Sequence, residues 1–300
     1  MVYEQNKVLV LLAAFNGQQY LAEQLESVLA QKYVSVNIVI SLDESDDSSL
    51  TICENYSTIY SNISLLPYGE KFGCAGKNFY RLVRDVDFTK YDFVSFCDQD
   101  DIWPTDKLSR AIQFLQKYDC YSSNVLAFWD DGREVLIDKV QSQREWDFLF
   151  EAAGPGCTYV LRRNVAIAFK AWLIGRYDKI NDEIALHDWL IYAFSRNFGF
   201  HWFIDAKPMM RYRQHANNQV GTNNNIAAAR VRIKLIKNKW YRNQVTKIAE
   251  HLGLQEKSIV KYGLKMGYIG NIYMLFHITK LRRRLRDRLA LALAFVINLF

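Results

Sequence analysis

Three carboxylates crowd one short stretch of this 300-residue chain: Asp98, Asp100 and Asp101, in FCDQDDIWPTDK. Acids this close repel one another, and a bound cation offsets the repulsion. Oxygen ligands suit a hard ion, Mg²⁺ or Mn²⁺, that also holds phosphate oxygens. For the short motif alone, a solvated acidic loop capping the next helix, with Asp106 in its first turn, is the stronger reading. Asp188 lies on an expected helix among Leu186, Trp189, Leu190 and Ile191. Semi-burial there raises a carboxylate's pKa, which suits a general base, although a hydrogen-bonded structural Asp fits the same pattern. His215 is a residue type that ligates metals, although a lone His is more often structural.

Apolar runs of strand length must deliver these groups. Residues 7–14 (KVLVLLAA) read as a buried strand, followed by a Phe-Asn-Gly break and an amphipathic helix with Leu21, Leu25, Val28 and Leu29 on one face. Residues 36–42 repeat the buried strand and end in DESDDSS, whose short oxygen-bearing side chains suit a helix start. A weaker strand at 63–66, a glycine-containing loop and the helix NFYRLVRDV lead to a third apolar strand at 91–97. This alternation implies a parallel sheet covered on both faces, with Asp98 to Asp101 at a strand's carboxyl end, where open α/β sheets bind ligands. Further on, 107–118 reads as a helix, 125–129 and 134–137 as strands around Asp130-Asp131-Gly132, and 157–161 as a strand. A helix at 165–174, the helix carrying His187-Asp188-Trp189 and a closing strand at 200–204 complete the domain.

Composition excludes several classes. Half the residues are apolar, 14% are aromatic and only four are proline, so wholesale disorder and collagen-like or mucin-like chains are out. Five cysteines, Cys53, Cys74, Cys97, Cys120 and Cys157, include no C-x-x-C pair. They are expected as small buried hydrophobes in a reducing compartment, and no export signal is expected. Charge is divided unevenly: residues 1–225 hold 22 Lys/Arg against 29 Asp/Glu, and residues 226–300 hold 16 against 3. That asymmetry suggests an acidic globular domain over 1–225, with a boundary in the Asn-rich 217–225, and a basic helical appendage over 226–300 that meets a polyanion.

The order of features resembles family 2 glycosyltransferases of the GT-A fold, especially the bacterial rhamnosyltransferase-like branch that builds surface polysaccharide. The segments that carry the likeness are AAFNGQQYLAEQLESVLAQ, SLDESDDSS, FGCAGKNF, FCDQDDIWPTDK, GCT, HDW and RQHANNQVG, across about residues 7–222. The resemblance implies a Rossmann-like, mostly parallel α/β sheet covered by helices. It places Ala13, Phe15, Asn16, Asp43, Gly73, Ala75, Lys77, Asn78, Asp98 and Gln99 at the nucleotide-sugar donor. Leu42 stands where many relatives carry a first acid, so Asp43 acts alone there. Asp100, with Asp98 and His215, is implied for the metal. Asp101, Trp103, Cys157, Thr158, His187 and Trp189 are implied on the acceptor side, and Asp188 as catalytic base.

The expected reaction is inverting transfer from a nucleoside-diphosphate sugar, with dTDP-L-rhamnose favoured, to a hydroxyl of a lipid-linked glycan in O-antigen or capsule synthesis. A nucleotidyltransferase would want a Gly-rich basic loop after the first strand, which AAFNGQQY lacks. A non-catalytic GT-A scaffold would tolerate loss of Asp100 or Asp188, and both are present. Nucleic acid is disfavoured, because the acidic first 225 residues would repel it. The Arg cluster at 282–288 followed by LALALAFVINLF is too short to span a bilayer but suits a helix lying on an anionic leaflet. The expected address is therefore cytoplasmic, peripheral at the inner face of the membrane through 281–300.

Overall fold

Val8 to Leu12 are wholly buried, and their side chains alternate between two apolar cores on opposite faces of one sheet. Leu9 and Leu11 enter one core, Val8, Val10 and Leu12 the other, so a one-residue slip would exchange both sets. In the computed structural model, which describes residues 5–215 and 238–300, this strand is β1 (Lys7–Ala14). It lies between β2 (Ser35–Leu42) and β4 (Phe93–Cys97), both parallel to it. With β3 (Ile63–Leu65), β5 (Cys120–Ser123), β8 (Val160–Arg162) and β9 (Trp202–Asp205), they make a seven-stranded sheet in the order β3-β2-β1-β4-β8-β5-β9.

Helices α3 (Ala75–Asp85), α6 (Arg163–Ile174) and α8 (His187–Asn197) cover one face through Phe79, Phe169 and Leu190. Helices α1 (Leu21–Leu29), α2 (Ser49–Ile59) and α4 (Lys107–Leu115) cover the other through Leu25, Cys53 and Leu108. The mixed α/β architecture with a mostly parallel, doubly covered sheet is the one expected. β8 alone runs antiparallel to its neighbours β4 and β5. It begins later than the expected 157–161, because Gly156–Thr158 form a 3₁₀ turn in which the Thr158 N–H donates to the Pro155 carbonyl. The region 121–150 divides: β6 (Val125–Phe128) and β7 (Glu134–Ile137) join β10 (Arg211–Arg213) in a separate three-stranded sheet, order β10-β6-β7. All five cysteines are free, and four of them are buried.

The boundary expected at 217–225 lies outside the described residues. From residue 238 the chain forms α9 (Trp240–His251), a π-helical segment (Ile259–Leu264), α10 (Gly267–Phe276), α11 (Ile278–Leu281) and α12 (Leu285–Val296). Val245, Ile248, Leu281, Leu291, Phe295 and Phe300 share one core with Leu9 and Phe96. The Arg cluster is also partly internal. Arg283 is buried and pairs with Asp147 at 3.1 Å and Glu151 at 3.4 Å, while the Arg282 guanidinium donates to the Phe150 carbonyl. These two side chains anchor the tail to the domain, so they are corrected out of the set expected to meet a membrane. An unpaired buried Asp147 or Glu151 would be costly, which is why the guanidinium points inward.

Candidate active site

The carboxyl ends of β1, β2 and β4 open into a cleft of about 1330 Å³. One end is built from Ala13 to Asn16, Asp43, the 71–78 segment and Asp98 to Asp100; the other from Glu151 to Gly156, His187 to Trp189, Trp240, Tyr241 and Arg282. Side-chain hydrogen bonds lock the first end. The Gln99 amide brackets the Phe15 backbone, accepting from its N–H at 2.6 Å and donating to its carbonyl at 2.8 Å. Asn16, in a left-handed conformation (φ 44°), accepts from the Asp46 N–H. The buried Asp43 carboxylate accepts the N–H groups of Phe72 (2.7 Å), Gly73 (2.8 Å) and Glu44 (2.9 Å). Asp43 therefore fixes the loop in which Gly73 adopts φ +74°, and Asp47, not Asp43, accepts the Ser49 N–H at the start of α2. The Asn78 amide ties β1 to β2 through the Ala14 and Ser41 carbonyls, and its buried Oδ1 has no protein partner.

Acid crowding is real and graded in depth. Burial, then the Asp100 charge, pushes Asp98 up to about 7, and the more deeply enclosed Asp101 is raised well above the usual carboxylate range by the same causes. Single ligand atoms of Asp98, Asp101 and Cys157 lie within 4.8 Å of one another. Burial and both carboxylates hold the Cys157 thiol protonated, so it serves these acids as a hydrogen-bond donor and not as a ligand for a hard cation. The exposed side of the cluster is different: Asp100 Oδ2 and His215 Nε2 face each other at 2.7 Å, both lining the cleft. The oxygen of Asp100 and the nitrogen of His215 thus converge on the cleft side as donors of the kind a divalent cation takes, while the three-residue cluster of Asp98, Asp101 and Cys157 lies beneath them. Beneath it, burial pushes Lys107 down to about 8, and its ammonium sits 3.3 Å from the Trp103 ring centre.

Several expected positions are corrected by depth. Asp101, Trp103, Cys157 and Thr158 do not reach the acceptor side; they are buried beneath the cleft floor. Asp101 accepts the Arg213 N–H at 3.2 Å, and the Thr158 hydroxyl donates to the Pro155 carbonyl at 2.8 Å. Lys77 leaves the donor end and lies 3.8 Å from Asp182, outside the main cleft. Arg81 is buried, donating to the Ser41 hydroxyl and the Pro67 carbonyl. The exposed Lys71, two residues before Gly73, is a cation that does line the cleft.

Across the cleft, Asp188 occupies the first turn of α8, where it accepts the Trp189 N–H at 2.7 Å. Burial nevertheless pushes its carboxyl up to about 6, against the hydrogen bonds and the nearby Lys139 charge. His187 stacks on Phe79 at 3.9 Å, and burial holds its imidazole neutral, down at about 3. The Trp189 indole donates to the Phe148 carbonyl and stacks on Tyr241, joining α8 to α9. Two glycines permit this assembly. A Cβ on Gly76 would lie 2.2 Å from the Ala185 carbonyl oxygen, and one on Gly156 would lie 2.6 Å from His187 Nε2 and 2.9 Å from Asp188 Cβ. Gly156→Ala should therefore displace Asp188 and lower transfer at least tenfold while nucleotide affinity holds. Unchanged turnover, read as nucleoside diphosphate release, contradicts that close packing.

A strand-end acidic site in a mostly parallel α/β sheet, sharing one cleft with the half-buried Asp188 carboxylate, is the arrangement of a glycosyltransferase, and the comparisons agree. The chain belongs to glycosyl transferase family 2, whose profile matches residues 9–165. It is 48% identical over 292 residues to "dTDP-rhamnosyl transferase RfbG" of Shigella flexneri, covering 96% of this chain and 100% of that protein. A more distant relative, "UDP-Glc:alpha-D-GlcNAc-diphosphoundecaprenol beta-1,3-glucosyltransferase WfaP" of Escherichia coli, is 29% identical over 36% of this chain and 41% of its own. Among solved structures, S. aureus TarS 1-349 in complex with UDP shares the fold with a TM-score of 0.57 at 15% identity, over 97% of this chain and 92% of that one. Mannosyltransferase PcManGT from Pyrobaculum calidifontis in complex with GDP-Man and Mn²⁺ gives 0.52 at 14% identity, over 99% and 82%.

Proposed function

We propose that this glycosyltransferase is inverting and metal-dependent, and that it moves L-rhamnose from dTDP-L-rhamnose to a hydroxyl of a lipid-linked glycan in bacterial O-antigen or capsule synthesis. The observation that carries the reading is that Asp98, Asp100 and His215 line one cleft with Asp188, whose charge is close enough to raise Asp98. The acceptor oxygen attacks the anomeric carbon, the bond from that carbon to the diphosphate breaks, and the electron pair leaves with the phosphate. Asp188 takes the hydroxyl proton, for which a carboxyl raised toward neutrality is better matched than an ordinary one. Asp98, Asp100 and His215 would hold Mg²⁺ or Mn²⁺, which supplies charge compensation for the leaving diphosphate. Lys71 adds a second positive charge at that end, and the Gly73 loop gives backbone close access to the donor. The 48% identity to a protein named as a dTDP-rhamnosyl transferase supports the donor, and the likeness to WfaP supports a diphospholipid-linked acceptor. Domain organisation is proposed as a donor-binding domain to about 225 followed by the basic helical region that completes the cleft through Trp240, Tyr241 and Arg282.

A panel of nucleotide sugars with Mn²⁺ or Mg²⁺ tests the donor. Release of dTDP from dTDP-L-rhamnose should exceed release from UDP- and GDP-sugars. Preferential turnover of a UDP-sugar overturns the rhamnosyl assignment, and turnover of none in the presence of membrane extract overturns the activity.

A further inference from the structure

Twelve of the twenty-two exposed large apolar side chains among the described residues fall between 262 and 299. On α10, Ile269 (68% exposed), Ile272 and Phe276 (82%) follow one helical face; on α12, Leu285 (63%), Leu289 (63%) and Leu293 (59%) do the same. The two helices lie side by side, joined by a hydrogen bond from the Tyr268 hydroxyl to the Val296 carbonyl and by the Asn271–Asn298 amide pair. Each turns its opposite face, Met274 on α10 and Leu291 and Phe295 on α12, into the same core. Their outward faces therefore point the same way and form one apolar patch of a kind that monomeric surfaces rarely leave uncovered.

Charge identifies what covers it. Residues 261–300 carry eight Lys/Arg and one acid, Asp287. Arg282 and Arg283 are turned inward, which leaves Lys261, Lys265, Lys280, Arg284, Arg286 and Arg288 around the patch. Lys261, Lys280 and Arg286 have carboxylate neighbours, Glu256, Glu145 and Asp287. Among the described residues Lys265 and Arg284 form no ion pair, although the Lys265 charge is felt by Glu256. A second copy docked face to face would set this basic rim against itself, and nucleic acid has no use for the apolar centre. No helix among the described residues is long and apolar enough to cross a bilayer. We infer that the paired faces of α10 and α12 seat the protein on an anionic phospholipid bilayer, apolar side chains among the acyl chains and basic ones at the headgroups. The seat extends beyond the Arg cluster and its following run, because α10 supplies half of it. Arg282, Trp240 and Tyr241 belong to the same region and line the cleft. On the transferase reading above, docking therefore presents the acceptor end to the leaflet, although the association itself does not depend on that reading.

Removing 281–300 would strip Leu281, Arg283, Leu291, Phe295 and Phe300 from the interior, so the test uses exposed point changes in the full-length chain. Flotation with vesicles of phosphatidylcholine, with and without phosphatidylglycerol, is compared for the wild type, for Lys265→Gln/Arg284→Gln and for Ile269→Gln/Phe276→Gln/Leu289→Gln/Leu293→Gln. The wild type should float with the anionic vesicles only and detach as salt rises. The charge pair should lower partitioning roughly tenfold or more, and the apolar set should abolish it. Calorimetric binding of dTDP checks that each variant is folded and reads the nucleotide site separately. Equal flotation with neutral vesicles, or wild-type flotation of the charge pair, overturns the inference. So does a dimer in light scattering that the apolar set dissociates while neither vesicle is bound.

Discussion

Asp188→Asn is expected to lower sugar transfer by roughly 10² to 10⁴, the usual contribution of a general base, while dTDP affinity and the fold persist. The change is nearly isosteric and keeps an oxygen that can accept the Trp189 N–H. The pH profile provides a second readout. With the carboxyl raised to about 6 by burial, the base is ionised above that value and protonated below it, so turnover should fall as pH drops through about 6. The residual activity of the Asn variant should lack that limb. Wild-type rates in the variant, or a limb that survives it, would remove Asp188 from the proton transfer. A loss of secondary structure accompanying the loss of activity would give it a structural role instead.

Asp100→Ala should reduce the affinity for dTDP measured with Mn²⁺ by roughly 10², to the value found without metal, since a cation held by Asp100 would supply charge compensation for the phosphates. The side chain faces His215 and carries no main-chain hydrogen bond among the described residues, so the fold should tolerate its removal. Asp98 cannot take over its place, because Asp98 sits deeper, beside the Cys157 thiol and the enclosed Asp101. Calorimetry with and without Mn²⁺ separates the metal contribution from direct nucleotide contacts. An affinity independent of metal in the wild type, or unchanged in the variant, would leave Lys71 as the main counter-charge for the diphosphate.

The parallel half of the sheet was legible because β1, β2 and β4 are continuous apolar runs whose ends carry polar groups. Asp43, Asp98, Asp100, Asp188 and His215 all line the resulting cleft. Depth was not legible. Asp100 and Asp101 are adjacent, yet one faces His215 and the other is enclosed with Cys157, because the Ile102–Arg211 bridge pulls the chain down at that point. Pattern reading had no means of pairing Arg283 with Asp147, more than a hundred residues away, so an internal guanidinium looked like part of a solvated cluster. The strands at 120–128 are four residues each, too short for periodicity to assign them to different sheets. Gly156 carried no such signal in the sequence, since its value lies in the space it leaves for Asp188.

The reversal of β8 has an evolutionary meaning. Val160, the first residue of β8, pairs with Ser95 in the middle of β4, and the 3₁₀ turn that precedes it, Gly156–Thr158, adjoins the cleft. Residues 154–158 and the α8 start thus approach the strand-end acids from a separate stretch of chain, long after the donor loops have been laid down. The two stretches are nevertheless tied directly, Gly76 against the Ala185 carbonyl and Phe79 against the His187 ring, so a change in one has to be matched in the other as the chain diverges.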